Sequence, residues 1–141
     1  MNGRALTFPI HTGEIDGLPV RFFKGPVAGP ELPWHALEDL YRTMRLPRPV
    51  RRQLLERTRA FPDGEARTVA SADGLATIAP NYMAQGIIGA AVEVHGVRAD
   101  FEHLYIPEAI AALKVLTSDM PVMASIQYAV EAFRNSARPR R

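Results

Sequence analysis

Cysteine is absent from the 141 residues, which excludes disulfides, thiolate nucleophiles and any zinc or iron–sulfur centre held by sulfur. The four histidines, His11, His35, His95 and His103, are scattered. No two stand three or four residues apart, the spacing that sets a pair of imidazoles on one helix face, so no metal site is expected. Neither a GxxxxGK run nor a GxGxxG run occurs, so Gly86 and Gly89 make no phosphate loop. Ser71, Ser118, Ser125 and Ser136 fall in a hairpin, a cap, a helix and a tail, and none stands on the strand–turn–helix elbow of a nucleophilic serine. No apolar run approaches the ~20 residues that cross a bilayer. The amino terminus lacks the charged start and apolar stretch of a signal peptide, so the expected compartment is a cytoplasm. No internal repeat occurs, and nothing alternates in the βαβ manner of a doubly wound sheet.

What is present suffices for one core, since 47% of the residues are hydrophobic. One domain is expected over residues 1–135, with a disordered basic tail over 136–141. "LTFPI" and "LPVRFF" alternate as strands do, and "HTGEIDG" between them supplies turn residues including Asp16-Gly17, so a hairpin is predicted. "GPVAGPELP" is too rich in proline and glycine to be regular. Pro33 then stands where a first helical residue is tolerated, and Leu37, Leu40, Tyr41 and Met44 have the spacing of one buried helix face. Trp34 is expected as a core staple beneath the hairpin and His35 as a partly exposed neighbour.

"LPRP" stops this helix, and Pro49 starts a second with Val50, Leu54, Leu55 and Thr58 inward and Arg51, Arg52, Arg57 and Arg59 facing water or a partner. "FPDGE" ends the pair. A second hairpin follows about Asp73-Gly74. A helix is predicted from Asn81 to about Val94, in which Gly86 and Gly89 each cost about 1 kcal/mol relative to alanine unless another backbone packs closely. Two more are expected, over Pro107–Thr117 with Ile110, Leu113 and Leu116 inward, and from Pro121 with Met123, Ile126, Val130 and Phe133 inward. Asp119 or Ser118 would cap the last. The fold class is therefore α+β: short β-hairpins packed with four to five α-helices and a helix-rich carboxy-terminal half.

Charge is unevenly placed. The net charge is only +2, yet Tyr41–Arg59 holds seven arginines, Arg42, Arg45, Arg48, Arg51, Arg52, Arg57 and Arg59, against one acid, Glu56. Outside that segment ten bases meet fourteen acids, and without the tail arginines Arg138, Arg140 and Arg141 seven bases meet fourteen. A basic segment thus sits on an acidic body. One internal acid cannot neutralise seven bases. Arginine throughout, with no lysine, suits bidentate contact with phosphate or carboxylate groups. Two short helices joined by a tight turn have the outline of a helix-turn-helix, although "LPRP" is not its usual glycine-containing turn. The carboxylate pairs Glu38-Asp39 and Asp100-Glu102 point in different directions, each pair having one member facing solvent or balancing an arginine.

The stretch "LPWHALEDLYRTMRL" resembles the BRO amino-terminal domain of phage antirepressors and related viral and prophage proteins. Pro33, Trp34, Asp39, Leu40 and Leu46 sit at similar positions. The likeness extends to a basic second helix, a hairpin ending near Ile78, and a later helix with Phe101, Pro107 and Ile110, so it spans about residues 5–116. The long "KGPVAGPE" insertion and the arginine density depart from the pattern. The resemblance implies a compact α+β domain of phage or mobile-element type that binds DNA or a regulatory protein.

The expected function is accordingly a DNA-binding regulatory protein whose seven arginines contact duplex phosphates, with a homodimer expected from the alanine-rich late helices. The second reading is a protein-interaction module or inhibitor that meets an acidic partner surface. A small enzyme acting on an anionic substrate comes third. No catalytic residue, cofactor or metal is assigned, and no membrane partner.

Overall fold

The computed structural model describes residues 5–60 and 66–136. Strands β1 (His11–Ile15), β2 (Leu18–Phe23) and β3 (Trp34–Ala36) lead into helices α1 (Leu37–Thr43) and α2 (Arg48–Ala60). Strands β4 (Arg67–Ser71) and β5 (Gly74–Ala79) follow, then α3 (Asn81–His95), α4 (Phe101–Leu116) and α5 (Val122–Ser136). The five strands form one antiparallel sheet in the order β1-β2-β3-β5-β4. The fold is α+β, with its helices concentrated in the carboxy-terminal half.

Local chemistry explains most of these elements. Asp16 (φ 51) and Gly17 (φ 83) both take the positive φ of a two-residue type I′ turn. Cross-strand partners Phe22, His35 and Ala79 place one sheet face against the main core, which Leu37, Leu40, Tyr41, Ile88, Phe101 and Tyr105 complete. The opposite face carries Phe23, Trp34, Ala36 and Ile78, roofed by the irregular segment after β2 through Val27. Gly25 in that roof lies so close to the Trp34 indole that a β-carbon there would overlap it. The indole Nε1 donates to Glu31 Oε1 at 3.0 Å. Trp34 is thus buried as expected, but as a residue of strand β3 beneath the segment after β2 and not as a staple beneath the hairpin.

Between sheet and helices stands an ion pair of buried Asp39 with half-buried Arg21, whose Nη1 also lies 3.8 Å from the exposed Asp73 carboxylate. Asp39 Oδ2 accepts from the backbone N–H of Arg21 at 3.0 Å and from its Nε at 2.8 Å, and Oδ1 accepts from Nη2 at 3.2 Å. The hydrogen bond to Asp39 raises the Arg21 pKa further.

Several expectations need correction. The first strand is His11–Ile15, not "LTFPI", because a two-residue turn at Asp16-Gly17 demands that the strand run directly into it. Pro33 does not open a helix: Trp34–Ala36 pairs with β2 and β5 at the centre of the sheet, and α1 begins only at Leu37. In the second hairpin the loop is Ala72-Asp73, and Gly74 (φ 113) is the first residue of β5. "FPDGE" lies outside the described residues.

The last three helices also depart from their expected faces. Gly86 and Gly89 of α3 face open space rather than a packed backbone, and Val94 is exposed. Helix α4 starts at Phe101, with Pro107 inside it. Burial of Phe101 and Tyr105 offsets the missing Pro107 N–H, and the carbonyl of exposed His103 is left to water. Ile110 faces outward. The Ser118 hydroxyl donates back to Val115 O at the end of α4 instead of capping α5. On α5 the docked residues are Tyr128, Ala129 and Ala132, so Met123, Ile126, Val130 and Phe133 point outward. Ser136, assigned to the tail, is the buried last residue of α5, and its Oγ accepts from Leu32 N at 3.0 Å. Among the described residues no helix is long and apolar enough to cross a membrane.

Asp39→Ala should leave the Arg21 N–H without its acceptor and the half-buried guanidinium with only exposed Asp73, 3.8 Å away, lowering stability by about 1–2 kcal/mol in denaturant unfolding. Glu38→Ala, which removes only an exposed i,i+4 pair to Arg42, should cost below about 1 kcal/mol. His35 is fully buried and desolvation pulls its pKa from 6.5 to about 3. The unfolded chain therefore takes up this proton first as pH falls. The stability due to neutral His35 is complete above pH 6.5 and is lost toward pH 3, at up to about 1.4 kcal/mol per pH unit. His35→Gln should remove that slope from unfolding curves measured across the same window.

Candidate functional site

Helix α1 has two faces. Leu37, Leu40 and Tyr41 are buried, while Glu38 and Arg42 face solvent and pair at 2.7 Å. The helix ends where Arg45 adopts φ 57. Arg45 N donates to Arg42 O at 2.9 Å and Leu46 N to Tyr41 O at 3.3 Å, the bond pair of a Schellman motif with arginine at the position that usually takes glycine. The buried Leu46 supplies the accompanying hydrophobic contact. The chain thus turns before Pro47, and the prolines start α2 rather than stop α1.

On α2, Val50, Leu54, Leu55 and Thr58 are half-buried against the core, and Arg48, Arg52, Glu56, Arg57 and Arg59 are exposed. The side of α2 that faces α1 bounds a cleft of about 520 Å³ lined by Arg48, Arg51, Arg52, Leu55, Glu56 and Arg59, with Glu38 and Arg42 on the opposite wall. Five of the seven predicted arginines therefore converge. Spacing alone did not reveal the two glutamates or Leu55 as members of this site, since they are set by the angle between the helices. Arg45 lies apart, donating to Asp16 O at 3.1 Å, and Arg57 is exposed outside the cleft.

The five differ in how they are held. Arg42 is neutralised by Glu38. Arg51 is half-buried, not on the fully exposed face expected for it, because Nη1 donates to Leu46 O at 2.9 Å across the start of the helix. Arg59 donates from Nε and Nη2 to Thr77 Oγ1 at 3.0 and 2.9 Å. Both acceptors are uncharged, so these bonds orient the guanidinium groups and leave their charge uncompensated. Arg48 and Arg52 make no side-chain hydrogen bond or ion pair among the described residues. The first turn of α2 also has no acid to offset the partial positive charge of a helix start. The cleft thus brings together two tethered guanidinium groups, two free ones, Arg42 already paired with Glu38, and the carboxylate of Glu56.

The histidines lie elsewhere. His35, expected to be partly exposed, is fully buried; its Nδ1 is 3.5 Å from the Tyr105 hydroxyl, which donates to Asn81 Oδ1 at 3.2 Å. Burial raises the Tyr105 pKa. His95 and His103 are exposed. Comparison of the chain with family models, with characterised proteins and with solved structures yields no match.

Arg45→Gly should relieve the left-handed backbone at the α1–α2 turn and raise stability by about 1 kcal/mol, less the small contribution of the exposed bond to Asp16 O. Arg45→Ala keeps the strain and should not. Thermal unfolding of the two variants checks the difference.

Proposed function

We propose that the chain is a DNA-binding regulatory protein whose α1–α2 cleft grips the phosphate backbone of a duplex. The observation that supports this most is the convergence of Arg48, Arg51, Arg52 and Arg59 on one cleft, with no anion paired to any of them among the described residues. Guanidinium groups match phosphate oxygens bidentately, and fixed ones lose little rotamer freedom on binding. Helix α2, 13 residues long, extends about 20 Å, longer than the ~12 Å width of a major groove. Exposed Gln53 and Arg57 on the same helix are the side chains available to base edges. The acidic remainder of the molecule would orient the cleft toward the polyanion and hold the other faces away.

A duplex titration at several salt concentrations tests this. Parent protein should lose affinity steeply with salt, and Arg48→Ala with Arg52→Ala should reduce the slope of log K against log salt by about two, one for each phosphate no longer neutralised. Both residues are exposed and unpaired, so the fold should be retained. Unchanged binding by the double variant, or no binding by the parent at low salt, overturns the reading. In the latter case the same cleft would be assigned to carboxylates of an acidic protein surface.

A further inference from the structure

Helix α5 is docked by one narrow strip. Ala132, Ala129 and Tyr128 meet Leu32 and Leu113, Ser136 Oγ accepts from Leu32 N, and Asn135 Nδ2 donates to Pro30 O at 2.6 Å. About a third of a turn away runs a second apolar strip, Met123, Ile126, Val130 and Phe133. Met123 is 75% exposed and the other three are just over half exposed. Val122 at 73% flanks it, and Ile106 and Ile110 of α4 continue it beside Phe133 around a groove of about 230 Å³.

The spacing of this strip is three, four, three, that of alternating a and d positions in a two-helix seam. It is also palindromic. Inverting the helix about the level of Tyr128 carries 123 onto 133 and 126 onto 130. With exposures from 38% to 75%, the seven residues present several hundred Å² of apolar surface, a large share of the ~800 Å² that each partner buries in a stable interface. Among the described residues no segment covers this strip.

We propose that α5 pairs with the α5 of a second copy of this chain, antiparallel about a two-fold axis at the level of Tyr128. Met123 then faces Phe133 of the partner subunit, and Ile126 faces Val130 of the partner subunit. An isologous contact of this kind matches every apolar residue with another from the same strip. The unbranched Met123 reaches the mouth of the groove beside Phe133, a role suited to its flexible thioether. Antiparallel pairing sets Arg134 opposite an apolar residue, Val122, whereas a parallel pair would bring the two Arg134 cations to one level. The pairing uses none of the cleft arginines, so it stands independently of the proposed DNA binding.

Sedimentation equilibrium without nucleic acid tests it. The parent chain should be dimeric at tens of micromolar, and Ile126→Glu should be monomeric with an unchanged circular dichroism spectrum. Because the chain has no cysteine, single Ile126→Cys and Val130→Cys variants report orientation directly. Mixed and oxidised, they should form the 126–130 cross-link in preference to either like pair. A monomeric parent at 100 micromolar, a dimer that survives Ile126→Glu, or a Met123→Cys variant that cross-links most readily to itself would each overturn the proposal.

Discussion

The Asp39 carboxylate stands where the sheet passes the chain to the helices, and the position of the arginine cleft depends on it. It accepts three hydrogen bonds from Arg21 of β2, one of them from the backbone. Helix α1 follows β3 with no intervening residue, so its direction is set at one end by strand pairing and along its length by this ion pair. Neighbouring Glu38 and Arg42 are thereby fixed as one wall of the cleft. A helix of seven residues has little stability of its own, and here a half-buried charge pair and a core contact through Leu37, Leu40 and Tyr41 replace the missing length.

The cleft separates orientation from neutralisation. Leu46 O and Thr77 Oγ1 hold Arg51 and Arg59 without cancelling them. Where the protein does neutralise arginine it does so with carboxylates: Glu38 for Arg42, Asp39 for Arg21, Asp16 and Asp100 for Arg98. Two acids line the cleft as well, but Glu38 is taken by Arg42 and Glu56 forms no ion pair with Arg48, Arg51, Arg52 or Arg59 among the described residues. Like charges held near one another in partial desolvation are unfavourable, a repulsion that the proposed binding of phosphate would relieve.

What the sequence revealed was whatever local geometry controls. Asp16-Gly17 located a turn because both positions need positive φ, and Val50, Leu54 and Leu55 located the inner face of α2 by period alone. Strand β3 was hidden because its three residues make sense only against β2 and β5, partners far along the chain. The start of α4 was hidden by Pro107, whose penalty is local while the burial of Phe101 and Tyr105 that offsets it is not. On α5 two apolar strips share one helix, and periodicity cannot say which one docks. Small Ala129 and Ala132 admit close approach to Leu32, and the bulkier strip is left outward. The arginine segment was legible as charge but not as a cleft, since the crossing of α1 and α2 turns on the backbone of Arg45 and on tethers to Leu46 and Thr77.

The segment before β1 has a further consequence. Thr7 N donates to Ala70 O at 2.7 Å, so residues ahead of the first edge strand reach the opposite edge, β4, and the sheet curls toward closure. An outer carbonyl of β4 that could template a foreign strand is already occupied. Pro9, which has no N–H, keeps this strap from growing into a sixth strand with an open edge of its own. At this point of its β4 edge the sheet is therefore closed to a further strand by a few residues of irregular chain.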